Sequence, residues 1–259
     1  MISNLSRTKR IVAIVAVVVL AALAVAAYML WSGAHSSTAV NETGALAEFR
    51  AQHVTDATPR VGQPAAGVYT YAVTGKEKAG SGVLSAERSL PAEAVYMITP
   101  IAGGYHEDLR LSEEHVEEAR FLVNATGNTA TWRRTKITFL GVGADDRDPV
   151  EPPSLDHPAA LKVGATWGGT YKLGDLTTKY TGTVISKGTV QVDGAAVPVF
   201  VIQTKSTFTG STPGTRTDTI SWSPKLSLPV AWTITQKTGG SSDYTINADM
   251  KLTSGKPLT

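Results

Sequence analysis

From Val61 onward the chain alternates apolar and polar residues in short runs, and turn residues break those runs at intervals of about 8–15 residues. Period-two alternation turns one side of a run toward a core and the other toward water, the requirement of a half-buried strand rather than a helix. The candidate strands are Gly67–Thr74, Ala94–Ile101, Thr129–Leu140, Thr166–Leu173, Tyr180–Val192, Val197–Ile202, Arg216–Trp222, Val230–Gln236 and Tyr244–Leu252. Between them, Thr126-Gly127-Asn128, Val192-Asp193-Gly194-Ala195, Ser211-Thr212-Pro213-Gly214 and Thr238-Gly239-Gly240-Ser241 supply Gly or Asn where a tight turn needs positive φ. Such short connections join antiparallel neighbours. The expected fold class is all-β: an antiparallel meander forming curved sheets or a partly open barrel, without βαβ crossovers.

Three segments refine that picture. Val197, Val199 and Val201 alternate with Pro198, Phe200 and Ile202, so both faces are apolar and the strand is expected to be buried on two sides. Ser112–Asn124 carries good helix formers, with Val116, Ala119 and Val123 on one helical face. As a strand it sets His115, Glu117, Ala119, Phe121 and Val123 opposite Val116, Glu118, Arg120 and Leu122, burying only its second half. The surrounding β pattern favours the strand. Residues 143–158 interleave Asp145, Asp146, Asp148, Glu151 and Asp156 with Pro149, Pro152, Pro153 and Pro158, a composition that reads as a loop. That loop divides a first β half, 59–142, from a second, 159–259. An internal echo supports two similar halves: Val61-Gly62, Gly67 and Tyr69 recur with the same spacing as Val163-Gly164, Gly169 and Tyr171.

Ahead of the β region, Ile11 to Trp31 runs for 21 residues without a charge, directly after Arg7, Lys9 and Arg10. As one helix it would reach roughly 30 Å, the thickness of a bilayer's hydrocarbon core. The basic flank predicts a cytoplasmic stub, 1–10, a single transmembrane helix, 11–31, and everything later on the extracytoplasmic side. The alternative is a signal peptide cut after Ala34. The length of the apolar run favours a retained anchor, because signal-peptide cores run about 7–15 residues. Residues 32–58 have a tether's composition, with Leu46, Phe49 and His53 spaced for a short helix near 43–53.

The chain has no cysteine, which removes disulfides, lipid attachment through a thioether and thiol chemistry. Without the three basic residues of the stub, 21 basic residues face 22 acidic ones, a balance that gives no electrostatic case for nucleic acid. Catalytic signatures are missing as well. There is no Gly-x-Ser-x-Gly elbow and no Ser-x-x-Lys arrangement; His106-Glu107 is followed by Arg110 where a zinc-binding helix needs a second His. His115 with Glu118 is an isolated pair, and the acidic run at 145–156 lacks the order of a calcium loop. No residue is assigned as catalytic, cofactor-binding or metal-ligating, and no cofactor is expected.

In the second half, Leu161-Lys162-Val163-Gly164-Ala165-Thr166-Trp167 opens a strand, and Trp222-Ser223-Pro224 with Leu228-Pro229-Val230 closes the pattern. Over about residues 158–238 this resembles a bacterial cell-envelope all-β domain family of unknown function, with a Val-Gly-x-x-Trp opening and a late Trp-x-Pro element. The resemblance implies an extracytoplasmic curved sheet and carries no activity. Read from the residues themselves, Trp167 and Trp222 are expected to anchor a core.

The functional expectation is a membrane-anchored, extracytoplasmic, non-catalytic β module that binds or scaffolds an envelope component: a lipid, a glycan or a protein. The alternatives are a subunit of an envelope membrane complex, or an envelope enzyme using His106, Glu107 and His115. The enzyme reading requires those three to converge in one cleft.

Overall fold

The computed structural model describes residues 36–52, 62–80, 85–139, 142–240 and 243–259. The alternation resolves into thirteen antiparallel strands: β1 (Gly67–Ala79), β2 (Ala86–Ser89), β3 (Glu93–Ile101), β4 (Gly104–Ser112), β5 (His115–Asn124), β6 (Gly127–Phe139), β7 (Val142–Pro158), β8 (Thr166–Leu173), β9 (Leu176–Val192), β10 (Ala195–Thr209), β11 (Gly214–Ser223), β12 (Leu228–Thr238) and β13 (Tyr244–Leu252). From β3 on, each strand pairs with the next in sequence, and β1 closes the ring by pairing with β3 on one side and with β13 on the other. The meander is therefore a closed barrel of twelve strands, not a curved sheet or a partly open barrel; β2 is the extra strand, lying beside the second half of β1. Closure satisfies the backbone groups that an open meander would leave on its two edges.

The last strand shows the inside–outside rule most plainly. Tyr244, Ile246, Ala248, Met250 and Leu252 face in and are buried, whereas Asn247, Asp249 and Lys251 between them are exposed. Full burial of a side chain such as Ile246 or Leu252 is worth about 2 kcal/mol. The outer wall elsewhere carries residues such as Lys179, Thr181, Lys205, Thr235 and Lys237, all exposed. This is the reverse of a transmembrane barrel, which needs an apolar outer band.

A ring of twelve strands encloses more space than wall side chains fill in a circular section. Yet Arg216 on β11 and Glu117 on β5, six places apart round the ring, meet at 2.8 Å. The barrel is thus flattened along the line joining β5 and β11. Its main core comes chiefly from β1, β3, β4, β5, β12 and β13, with single residues of other strands such as Ala130 and Val150, and includes Tyr71, Ile98, Leu111, Ile234 and Ile246. A smaller cluster of Val184, Ile202 and Trp222, with Trp167, Phe200 and Ile220 against it, belongs to β8–β11.

Several expectations are corrected. Residues 143–158 are not a loop but the body of β7, which pairs along β6 through two irregularities while matching β8 at one position, Glu151 opposite Lys172. A proline cannot donate to a ladder, so a strand carrying Pro149, Pro152 and Pro153 is tolerated where one side asks for few bonds. The stretches expected as halves, 59–142 and 159–259, supply β1 and β3–β6, and β8–β13, of a single ring, with β2 outside it, and the echoed Gly67/Tyr69 and Gly169/Tyr171 fall on β1 and β8, opposite each other. Within Ser112–Asn124, Glu113 and Glu114 turn the chain and His115–Asn124 is strand, as the β context favoured, but its inner face is buried already at His115 and not only in its second half. β10 is not buried on both faces: Val199 and Ile202 are buried, while Ala195, Ala196 and Pro198 are exposed.

The reason lies in the β9–β10 hairpin. Residues 188–192 and 195–199 pair only with each other, beyond the reach of β8 and β11. Asp193 and Gly194, with φ of 49° and 74°, make the two-residue turn whose twist suits a hairpin. A bulge at Val201/Ile202 marks the base of this ribbon, and Val192 and Val199 pack into the main core. Its tip shares a cavity of about 290 Å³ with Ala72, Lys251, Leu252 and Thr253, beside the β1–β13 seam.

Helix α1 (Glu42–Ala51) begins one residue before the expected helix; Asn41 caps it by accepting from the Gly44 backbone N–H, and His53 lies outside the described residues. Ala45 and Phe49 bury against Val68, Val95 and Met97 on the outer wall, so α1 is docked on the barrel rather than part of a loose stalk. Arg110 fastens it with two bonds to Glu48 at 2.8 and 2.9 Å. Phe49→Ala is expected to cost about 3 kcal/mol in urea unfolding and to open the 42–51 segment to limited proteolysis. The expected stub, 1–10, and transmembrane helix, 11–31, lie outside the described residues. Among the described residues no helix is long and apolar enough to cross a membrane.

Candidate functional site in the barrel lumen

Strand parity separates the residues that an enzyme would need together. His106 points outward, where its Nε2 lies 3.1 Å from Glu118 and its ring is 6.0 Å from Trp132. Glu107, the next residue, points into the lumen, and so does His115. The three do not converge. His106 instead begins an outer-wall ladder of charge that continues through Glu118, Arg134, Asp145 and Arg147. Among the described residues no His, Asp or Glu group is arranged to hold a metal ion.

The lumen holds two polar assemblies of different character. At one end Glu77 is fully buried and accepts from Arg88 Nε at 2.8 Å and Tyr244 Oη at 2.8 Å, with His115 Nδ1 at 3.0 Å. His115 Nε2 lies 3.3 Å from Glu117, which is clasped in turn by Arg216 at 2.8 and 3.0 Å; Asp218 takes the Nε of the same guanidinium and the Trp232 indole N–H. Both ring nitrogens of His115 are occupied, so this assembly is a strut across the flattened barrel and has no free base to offer.

The second assembly, around Arg133, is open. Arg133 faces inward because the bulged residue Thr131 reverses parity: Ala130 and Arg133 both point into the lumen. Its guanidinium lies 5.9 Å from the Phe121 ring centre and 3.6 Å from the Asp156 carboxylate. Both side chains keep about a third of their surface open, 32% and 36%, although the wall surrounds them. Arg133 Nε is buried without a hydrogen-bond partner, and so is His157 Nε2, on the adjoining stretch of β7. Nearby, Glu107 accepts from the Tyr96 hydroxyl, and Tyr105 stacks on Phe121 at 5.2 Å and receives a bond from Asn128. Across the poorly paired β7–β8 seam, the Trp167 indole N–H reaches the Asp156 carbonyl at 2.7 Å, giving that anchor tryptophan its partner. Tyr171 and Tyr180 stand side by side, rings 5.7 Å apart; Tyr180 is buried, and a Cβ built at Gly169 would stand 3.4 Å from its ring.

The two assemblies titrate in different directions. Burial raises the Glu107 carboxyl to about 7 despite the bond from Tyr96, and neighbouring Asp156 adds to the rise. For His115, burial favours the neutral ring, but hydrogen bonds to Glu117 and Glu77 and their charges overcome it and bring the imidazolium up to about 9. Glu77, which burial would raise, is brought down to about 2 by His115, Arg88 and Tyr244. A raised folded pKa gives stability that is complete below the unfolded value and lost as pH rises through the folded one; a lowered carboxylate loses its contribution as pH falls. Glu107 therefore withdraws stability between about 4.5 and 7, His115 between about 6.5 and 9, and Glu77 from about 4.5 down to 2. Thermal unfolding is expected to peak near pH 5 and to fall in two steps as pH rises, the first complete near pH 7 and the second near pH 9. A melting temperature that is flat from pH 5 to 9 contradicts these assignments.

Arg133, Asp156, Tyr171 and Trp167 are the residues that sequence reading did not join into a site. Trp167 was visible as an anchor and Tyr171 as part of the echo. Arg133 was hidden, because uninterrupted alternation from Ala130 places it on the outer face.

No family model matches the chain, and no curated protein matches it. Among solved structures it is similar to the hypothetical lipoprotein YmcC from Escherichia coli (K12), at 13% identity and a TM-score of 0.32, over 73% of this chain and 86% of that one. A likeness of that size bears on neither the ligand nor the site.

Proposed function

We propose that the chain is a non-catalytic binding module on the extracytoplasmic side of a membrane, and that it holds its ligand in the lumen beside Arg133. Residues 11–31 anchor it, with the N-terminus in the cytoplasm; release after Ala34 is the competing arrangement. The observation that carries the reading is the half-open Arg133–Asp156 pair, whose buried Nε donor has no acceptor inside a closed wall. Buried donors are rarely left so, and a site prepared for a ligand's oxygen is the state in which one is tolerated. The separation of His106 from Glu107 and His115, and the double engagement of His115, favour binding over acid–base chemistry.

The test is native mass spectrometry on the full chain extracted from membranes, combined with protease treatment of intact cells. The expected result is a stoichiometric adduct that Arg133→Met loses, and removal of the C-terminal domain by external protease. A protein that carries no adduct in either form, or a domain shielded inside intact cells, contradicts the reading.

A further inference from the structure

The near-neutral charge of the chain conceals a segregated distribution. Residues 159–259 hold 10 basic residues against 5 acidic ones, whereas residues 32–158 hold 11 against 17. Strand register gathers lysines on one outer wall. Lys179, Lys237 and Lys78 fall in a single register row running from β9 to β1, separated only by Thr207, Thr215 and Thr245. The row beside it carries Lys205 and Lys76, with two threonines and Asn247 between them. Neither row contains an acid, and all five lysines are exposed. Among the described residues Lys78, Lys179, Lys205 and Lys237 have no carboxylate partner, while Lys76 meets Glu87. Because the barrel is flattened along the line from β5 to β11, this wall, centred on Thr215 of β11, is one of its two broad faces. On the other broad face the cations are taken: Arg110 pairs with Glu48, Arg134 with Glu118, and Arg147 with Asp145.

The chain reaches the barrel at the end where these rows lie. Alternate turns of a meander share an end, so the β4–β5 turn is level with the β8–β9, β10–β11 and β12–β13 turns that border the lysines. At that end the Ser37 hydroxyl donates to the Ser89 carbonyl at 2.7 Å, Ser89 being the register partner of Lys76. Thr38 donates through its hydroxyl to Glu114 at 2.6 Å and accepts from the Glu113 N–H at 3.1 Å. Trp31, the last residue of the expected span, is five residues before Ser36, so at most about 17 Å of chain separates this end from the bilayer. We propose that the lysine wall of β9–β13 and β1 docks on the anionic phospholipid headgroups of the membrane that holds the anchor. The proposal rests on the anchored reading and not on a ligand beside Arg133. Ammonium groups and the threonine hydroxyls between them both donate to phosphate oxygens. The two rows are about 7 Å apart along the strands, within a Debye length of about 8 Å, so both act at one surface. With no apolar residue in either row, the contact stops at the headgroups.

The experiment places the full chain in nanodiscs of phosphatidylcholine, alone or with about one-third phosphatidylglycerol, and reads the quenching of a fluorophore by headgroup nitroxides. The fluorophore is carried by Thr215→Cys on the lysine wall or by Glu113→Cys at the same end of the opposite face, the native chain having no cysteine. With phosphatidylglycerol the label at 215 is expected to be quenched about threefold more than the label at 113. That excess is expected to vanish without phosphatidylglycerol and in about 0.5 M salt, where the Debye length falls to roughly 4 Å. It is expected to vanish as well in Lys179→Gln/Lys205→Gln/Lys237→Gln and to survive in the corresponding triple arginine variant; all three side chains are exposed, so neither variant disturbs the core. Equal quenching at the two positions, an excess indifferent to phosphatidylglycerol, or one kept by the glutamine triple or lost in the arginine triple overturns the proposal. So does release of the wall by soluble polyglycerol phosphate at a lower phosphate concentration than the lipid presents, which would assign the face to a polymer. Retention in neutral discs through a high-salt wash reports the anchor alone. Loss there removes the anchored reading and the proposal together; retention with equal quenching removes the proposal and leaves that reading in place.

Discussion

Glu77→Ala is expected to lower the free energy of unfolding by about 4 kcal/mol. Glu77 has no exposed surface and is the shared acceptor of Arg88, His115 and Tyr244. Its removal leaves a guanidinium that is 3% exposed without the charge that balances it, and takes from His115, 1% exposed, one of its two carboxylate partners. Uncompensated burial of that kind costs several kcal/mol, far more than loss of an exposed pair such as Lys76–Glu87. The same physics predicts a rescue. Glu77→Met combined with Arg88→Leu removes both charges, lets His115 turn neutral, and is expected to recover more than half of the loss in urea unfolding. Equal destabilisation by the single and double variants would mean that packing, not charge, holds this end of the barrel.

The second large effect belongs to Gly104. A Cβ there would stand 1.7 Å from the Phe121 carbonyl oxygen and 3.0 Å from the Leu122 Cα, both backbone atoms of β5 that cannot turn aside. Gly104→Ala must therefore part β4 from β5 where the pair begins, and with it the strands that carry Tyr105, Glu107 and Phe121 into the lumen. A loss of about 4–5 kcal/mol is expected, enough to prevent accumulation of folded protein in many domains of this size. The neighbouring Gly103 is a control with a different cause. It has a φ of 76° but its nearest prospective contact is 3.7 Å away, so Gly103→Ala meets conformational strain alone, about 1 kcal/mol. Comparable melting temperatures for the two variants would contradict the close approach at Gly104.

What could be read from the chain, and what could not, divides along a physical line. Regular alternation is local, so β13 was legible to its boundaries, and the Asp193-Gly194 turn was legible because only a few residues accept two successive positive φ values. Closure was not legible. It depends on β1 meeting β13 across the whole sequence, and no local pattern records that. The strand at 142–158 was hidden by its prolines, which exclude a helix and a central ladder but are compatible with a strand bonded chiefly on one side. The site was hidden for a related reason: one bulged residue, Thr131, reverses the faces of everything after it in β6, so an arginine that uninterrupted alternation would set outward belongs to the lumen. His115 and Glu117 were placed on the correct common face, but their partners Glu77 and Arg216 come from the first strand and the eleventh.

The lumen beside β8 can be probed directly, because the native chain contains no cysteine and each introduced thiol reports alone. Three single substitutions suffice: Gly169→Cys in the open part of the lumen, Thr170→Cys on the outer wall and Met250→Cys in the filled interior. With a small methanethiosulfonate and a bulky polymer-linked maleimide, the thiol at 169 is expected to react with the small reagent only, that at 170 with both, and that at 250 with neither. A thiol at 169 that ignores the small reagent, or takes the bulky one as readily as position 170 does, would contradict an accessible binding site inside the barrel.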